Sequence, residues 1–314
     1  MSTADNTAAA PAVVLGEVEV VRLIEWHGPF GPAAAAFPDI PPHIWRDNAD
    51  WLVPDHYEAE HELAVLALQT WLLRSAGRTV LVDTGMGDGH PRPGSPPFDR
   101  WQGGLLDRLR AVGVTPGDVD VVVNTHLHVD HIGGNTVEAD PGEWVPAFPN
   151  AQYLIARADD AFFGPGNAHG AGTQDDGRLV YEDSVAPLHR AGQTVLWEDS
   201  YRIDENLTLE AAPGHTPGSS VLSLRSGPDR ALFVGDLIQS PAQLVDPACN
   251  SAHCVDPAAA QTSRRRLLDQ AARDRAWIIP AHFGGAGAFM TDPDGGHHTC
   301  HPMGQTGTPV RPPR

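Results

Sequence analysis

Val13 to Trp26 alternates between apolar and polar positions with a period of two, the pattern of an opening strand or one arm of a hairpin. Glu62 to Leu73 and Thr79 to Val82 read as two further strands around the turn Ser75-Ala76-Gly77-Arg78. Asp120 to Thr125 and Gln152 to Ile155 are apolar runs of the buried-strand type. Three later runs, beginning at Leu207, Ala231 and Trp277, are apolar strands that each end in a loop. Helical spacing is clearest in two places. Between Phe98 and Val112 the residues Trp101, Leu105, Leu106, Leu109 and Val112 fall on one face, and Gly113 supplies a stop. Ala258 to Arg273 follows Asp256-Pro257, a capping residue and a favourable first-turn residue. A short helix is expected over Asp183 to Arg190, and the triplet Arg264-Arg265-Arg266 is expected on the solvated face of the long helix.

Strand pairs and a helix, then strands and a helix again, suggest two similar halves within one compact domain over residues 13–290. Residues 1–12, small and polar without periodicity, are expected to be disordered, and residues 291–314 form a Gly/Pro/His-rich tail. Two stretches lack clear periodicity. His27 to His61 carries Pro29, Pro32, Pro38, Pro41, Pro42 and Pro54 beside Phe30, Phe37, Ile40, Ile44, Trp45 and Trp51. So long a connection tends to be functional or disordered. Its aromatics suit a pocket wall, a lid or the contact of a homodimer; the plainer alternative is a surface excursion that buries its own aromatics. Asp159 to Asp183, rich in glycine and acids with Phe162 and Phe163 at its start, is expected on the other side of the same entrance. Trp144 and Phe148 suit pocket lining or core equally.

Charge narrows the partners. The chain has 21 basic residues, all arginine, against 40 acidic ones, a formal net of −19. A field this negative opposes phosphate backbones, so nucleic acid is not an expected partner. The absence of lysine removes Schiff-base chemistry and the P-loop. A small, neutral or weakly charged substrate is expected. A 41% hydrophobic composition suffices for a sizeable core. No apolar run approaches the length of a membrane span, and Met1 to Asn6 lacks the build of a signal peptide, so a cytoplasmic protein without membrane attachment is expected. Cys249, Cys254 and Cys300 are few and odd in number, against a disulfide framework. Cys249 and Cys254 are close enough to pair, but two reduced thiols are the expectation.

The chemistry concentrates in His126-Leu127-His128-Val129-Asp130-His131, directly after the apolar run at Val121 to Val123. Residues two apart in an extended segment point the same way, so His126 and His128 can grip one ion. Asp130 and His131 follow once the chain has begun to turn and can face a second, and Gly133-Gly134 lets the backbone pass close by. His215, Asp236 and His282 each stand at the C-terminal end of an apolar run. Nitrogen and hard oxygen donors without thiolate suit Zn2+ and tolerate Mn2+, Fe2+ or Co2+. Seven such ligands exceed what one tetrahedral ion needs, so two ions sharing a carboxylate is the economical reading.

These residues resemble the metallo-β-lactamase superfamily, whose signature His-x-His-x-Asp-His-x-Gly-Gly stands here as His126 to Gly134. The resemblance runs over about residues 13–290, through Val82-Asp83-Thr84-Gly85, Gly214-His215-Thr216-Pro217-Gly218, Gly235-Asp236 and Pro280-Ala281-His282. It implies an α/β fold, an αββα four-layer sandwich with the site along one edge. It also implies His126, His128 and His215 on one metal, Asp130, His131 and His282 on the other, and Asp236 between them. Asp83 is implied as an outer carboxylate that orients the ligand histidines.

Aspartate at 236 and the Asp130-His131 pair look nearest to the N-acyl homoserine lactonase and methyl parathion hydrolase-like branch. The branch implies a tyrosine near the metals, for which Tyr181 and Tyr201 are the candidates. The implied reaction is attack of an activated water on a small neutral lactone, carboxylic ester or organophosphate ester, with Asp130 or Asp236 carrying the proton. On the same metal site the alternatives are a thioesterase or glyoxalase II-like hydrolase, a polyketide-type cyclase, and a mononuclear iron persulfide dioxygenase. His27, His43, His56, His61, His90, His169, His189 and His253 lack ligand spacing and read as surface or structural, His169 and His253 being placed nearest the entrance. The tail's His297-His298-Thr299-Cys300-His301 looks like a soft-metal binder within an unstructured segment.

Overall fold

The computed structural model describes residues 12–167 and 176–290, together with the backbone of His301 and Pro302. The N-terminal residues 1–11, His169 and the tail residues His297, His298 and Cys300 lie outside them.

The alternation at the start of the chain becomes a hairpin of β1 (Ala12–Leu15) and β2 (Val18–Pro32), turned at Gly16 with φ +60°. The first sheet continues with β3 (Tyr57–Glu58), β4 (Leu63–Ser75), β5 (Arg78–Val82) and β6 (Val121–Val123). A separate hairpin, β7 (Thr136–Asp140) and β8 (Glu143–Pro146), precedes the last members, β9 (Gln152–Ala156) and β10 (Thr194–Trp197). The spatial order is β1-β2-β4-β5-β6-β9-β10, with β3 beside β4. The second sheet holds, in this order, β11 (Ser200–Arg202), β12 (Leu207–Ala211), β13 (Ser220–Ser226), β14 (Asp229–Gly235), β15 (Trp277–Pro280), β16 (Phe289–Met290) and β17 (His301–Pro302). β5, β6, β9 and β10 run parallel, as do β14 and β15.

Strand alternation sorts the side chains into layers. Trp71, Leu73, Val80, Val82, Val121 and Val123 of the first sheet meet Leu209, Leu222, Leu224, Phe233 and Ile279 of the second in one core. The helices are α1 (Ala33–Ala36), α2 (Pro42–Asp47), α3 (Ala49–Leu52), α4 (Leu105–Ala111), α5 (Val129–Ile132), α6 (Arg157–Phe163), α7 (Asp176–Ser184), α8 (Ala186–Ala191), α9 (Ala242–Val245) and α10 (Pro257–Asp274). Leu72, Leu81 and Val122 turn outward onto α4, α7 and α8. Val221, Leu232 and Ile278 turn the other way onto α10. The result is the αββα sandwich.

Several local expectations change. The amphipathic stretch from Phe98 is helical only from Leu105. Gly104 breaks it at φ +70°, and the Trp101 indole donates to Glu25 at 2.7 Å instead of joining the helical stripe. The helix expected over Asp183 to Arg190 divides at Val185, because Pro187 has no N–H to continue the ladder of α7. Arg264 is the largest departure. It stands on the same face of α10 as Ala260, Leu267 and Ala271, the face that packs on the sheet, and is fully buried while Arg265 and Arg266 are exposed. Its guanidinium donates to the carbonyls of Leu237 at 2.7 Å, Pro247 at 2.9 Å and Cys249 at 2.8 Å.

The segment His27 to His61 is largely regular: β2 runs on to Pro32 and α1, α2 and α3 follow. Phe37, Ile40, Ile44, Trp45 and Leu52 form their own small core against Leu66. Asp159 to Asp183 likewise carries most of α6 and nearly all of α7. Cys249 and Cys254 are free thiols.

Candidate metal centre

Four candidate ligands and the outer carboxylate Asp83 stand just beyond the C-terminal ends of strands: Asp83 after β5, His126 after β6, His215 after β12, Asp236 after β14 and His282 after β15. His128 is still extended, and α5 begins at Val129, so the chain turns between His128 and Asp130. A side chain at Gly133 would collide with the Met86 carbonyl, which explains glycine where this turn passes the β5 loop.

The seven residues converge in two sets. Nε2 of His126 and Nε2 of His215 lie 3.0 and 2.9 Å from Nδ1 of His128. Oδ2 of Asp236 closes this set, 3.3 Å from His215 and 3.8 Å from His126. The other oxygen of Asp236 faces the second set, 3.2 Å from Nε2 of His131 and 2.9 Å from Nε2 of His282. Asp130 completes it at 3.4 Å from His282 and 3.7 Å from His131. His126, His131, His215, Asp236 and His282 are all buried, whereas the side chain of Asp130 is 26% exposed.

In four of the five rings, those of His126, His131, His215 and His282, the far nitrogen has a neighbour that fixes the ring. Asp83 accepts from Nδ1 of His131 at 2.8 Å, and its two oxygens also accept the Thr125 N–H and hydroxyl, each at 2.8 Å. Thr125 Oγ1 lies 3.2 Å from Nδ1 of His126, and Nδ1 of His282 donates to the Ala67 carbonyl at 2.8 Å. Cys254 Sγ stands 3.7 Å from Nδ1 of His215. Gln239 donates its amide to Oδ2 of Asp236.

The donor set fits a pair of divalent ions. Metal–nitrogen bonds of about 2.0–2.1 Å at tetrahedral angles place ligand atoms about 3.3 Å apart, which the separations in both sets bracket. Among the described residues, Nε2 of His131 and Oδ1 of Asp236 are buried without a hydrogen-bond partner, as groups awaiting a cation would be. Burial, with the charge of His131 next, holds His126 well below the usual histidine range; burial likewise lowers His215 well below that range and His128 to about 4. These are neutral imidazoles, the form that binds metal. Around His131 burial acts the same way, but Asp236, Asp130 and Asp83 outweigh it and raise its pKa well above the usual range. His282 is raised too, burial being overcome by Asp236 and Asp130. Three carboxylates around two imidazoles make a place that favours positive charge.

A cavity of about 500 Å³ opens over this centre. Phe30, Phe37, Leu66, Phe162 and Phe163 line it, so both irregular stretches contribute walls. Tyr181 lines it as well, its hydroxyl donating to Asp160 at 3.1 Å, whereas Tyr201 packs against the inter-sheet core. His253 lines the cavity. Trp144 and Phe148 do not: Trp144 stacks on His90 at 3.7 Å, and Phe148 is wholly buried in the outer core of the first sheet. His56, against Phe283, and His189, bonded to Asp160, are structural. Sequence reasoning missed Gln239, three residues after Asp236, and Asp159, hidden in an acidic stretch read as one side of the entrance.

A family model described as the metallo-beta-lactamase superfamily matches residues 65–282. The N-acyl homoserine lactonase AttM of Rhizobium radiobacter is 31% identical over 134 residues, which take in 41% of this chain and 44% of that protein. An N-acyl homoserine lactonase from a Bacillus species is 26% identical over 185 residues, 53% of this chain and 63% of its own length. The chain thus spans about half the length of the curated relatives it matches. Among solved structures, the dizinc quorum-quenching lactonase AidC superposes with a TM-score of 0.73 at 23% identity, covering 94% of this chain and 98% of its own. A probable metal-dependent hydrolase from Staphylococcus aureus gives 0.73 at 19% identity over 90% of this chain and 95% of its own. At these identities the likeness to solved structures is one of fold.

Proposed function

This chain belongs to the metallo-beta-lactamase superfamily, and we propose that it is a dinuclear metal hydrolase, most suited to Zn2+, that opens small neutral lactones and related esters. His126, His128 and His215 would hold one ion, Asp130, His131 and His282 the other, and Asp236 would serve both through its two oxygens. The observation that carries the reading is this division of Asp236, with one oxygen 3.3 Å from His215 and the other 2.9 Å from His282.

Divalent ions so bound supply Lewis acidity and a water acidic enough to attack near neutral pH. The chain's own residues do the rest. Both oxygens of Asp236 would be taken up by the ions, Oδ2 on the side of His215, where Gln239 also donates to it, and Oδ1 on the side of His131 and His282. Asp130 is the more exposed of the two carboxylates that line the cavity, so it would take the proton of the attacking water and return it to the leaving alkoxide oxygen. Phe37, Phe162 and Phe163 exclude water and hold the acyl group.

The cavity also favours a substrate class. No arginine is among the described residues that line it, and the chain has no lysine. Glutathione and coenzyme A thioesters carry anionic groups that such walls leave unpaired, whereas a lactone with an aliphatic acyl chain leaves nothing charged. The lactonase names of the relatives from Rhizobium radiobacter and Bacillus agree with this reading.

Zinc-loaded and chelator-stripped protein should be assayed against N-acyl lactones of several chain lengths, aryl esters, phosphotriesters and acyl thioesters. Metal-dependent turnover highest on the acyl lactones is expected. A flat response to lactones and esters, or turnover confined to thioesters, overturns the reading. One iron per chain in place of two zincs would point instead to the persulfide dioxygenase alternative.

A further inference from the structure

Asp159 takes no part in the reaction above, yet it is a wholly buried carboxylate beside the centre. It stands near the start of α6, three residues beyond the end of β9. One oxygen accepts the Leu127 N–H at 3.1 Å and the Thr216 hydroxyl at 2.9 Å, and the other accepts the Gly218 N–H at 2.5 Å. Leu127 lies between His126 and His128, and Thr216 follows His215 directly. The donors therefore come from both loops that carry the three-histidine set, one loop from each sheet.

The second loop is shaped around this carboxylate. The Thr216 N–H donates to Ser219 Oγ at 2.8 Å, closing a tight turn. A side chain at Gly218 would stand 2.6 Å from the Asp159 nitrogen and 2.7 Å from its carboxyl carbon, so glycine there is what lets the turn reach α6. Charge-assisted bonds of this kind are the strong ones, and a buried carboxylate persists only with them. The other set is held differently, His131 by Asp83 and His282 by Ala67.

We infer that Asp159 is a positioning residue that sets His126 and His128 against His215, and so governs metal affinity in the three-histidine set and not in the other. The inference rests on the metal reading of the centre proposed above.

Zinc titration into the chelator-stripped full chain, with stoichiometry by elemental analysis, tests it in two backgrounds. His282→Ala leaves the three-histidine set intact, and His128→Ala leaves the other. In the first, adding Asp159→Asn is expected to weaken the remaining zinc by about ten-fold or more, as changes of outer partners do. In the second, it should leave the remaining affinity within about two-fold, because the donors to Asp159 flank His126, His128 and His215 and not His131 or His282. Thr216→Val removes one donor without changing charge and should show the same preference with a smaller loss; it carries the test where circular dichroism shows that Asp159→Asn does not fold. Equal weakening in both backgrounds, or none in either, overturns the role of Asp159. Lack of stoichiometric zinc in the unsubstituted chain is a separate result, seen before any substitution, and it would overturn the metal reading itself.

Discussion

Ala67 and His282 are bonded twice across the seam between the two sheets: the Ala67 N–H donates to the His282 carbonyl at 2.9 Å, and His282 Nδ1 donates to the Ala67 carbonyl at 2.8 Å. The second bond puts the proton on Nδ1 and aims the free Nε2 at Asp236 and Asp130. A residue carried by the second sheet is thereby oriented by the backbone of the first.

His282→Ala should therefore reduce the metal content from two ions to one and cut turnover by more than about 100-fold, beyond the 10–100-fold typical of outer partners. Elemental analysis beside steady-state kinetics checks it. Two ions retained would show that His282 is no ligand.

Asp83 combines two demands. It stands at φ +58°, a left-handed conformation that aspartate and asparagine tolerate better than most residues, and its charge faces His131. Asp83→Asn keeps the backbone and removes the charge. Zinc affinity should fall by about 10–100-fold with little change in Tm, whereas Asp83→Leu should lower both. Calorimetric titration and thermal melts separate them; an Asn variant with parental affinity would show that the charge is immaterial.

Glu25, on β2, accepts the Met86 N–H at 3.0 Å and the Trp101 indole at 2.7 Å. Burial pushes its pKa up to about 7 in spite of these bonds, from an ordinary value of 4.5. Folding thus favours the protonated form. That contribution is complete below the unfolded pKa and is lost as pH rises through about 7. Glu25→Gln cannot titrate, so its Tm relative to the parent should rise between about pH 5 and about pH 8. Parallel Tm profiles across that range would clear Glu25 of the effect.

Phe30 lines the mouth of the cavity and is 43% exposed, so little of the fold depends on it. If acyl chains pass over it, Phe30→Ala should raise KM several-fold, the equivalent of about 1 kcal/mol of lost apolar burial, and leave kcat nearly unchanged. The effect should grow with chain length in the lactone series. An unchanged KM for the longest chain would place the acyl group elsewhere.

Arg264→Met keeps the buried stem but leaves the carbonyls of Leu237 and Pro247 without their donor, while the Cys249 carbonyl keeps the Gln243 amide at 3.0 Å. Each unsatisfied buried acceptor costs about 1–3 kcal/mol, so a loss of at least about 2 kcal/mol is expected in urea unfolding. A loss below about 1 kcal/mol would mean that water replaces the guanidinium there.

The sequence by itself determined what local geometry dictates. Extended backbone puts residues two apart on one side, so His126 and His128 stood together before any fold was known. Apolar runs ending in ligand-type residues marked His215, Asp236 and His282 as strand-end groups, and the order of those motifs carried the αββα fold. Tertiary structure alone decided which way long-range partners face. Asp159 looked like one more acid in an acidic stretch, because its three donors lie 32, 57 and 59 residues away. Arg264 looked solvated, because helix periodicity assigns residues to faces but does not say which face meets a sheet. The split of Asp236 between two sets exists only where β14 is packed against the loops of both sheets. Burial of charge is decided by residues distant in the chain, and no local pattern encodes it.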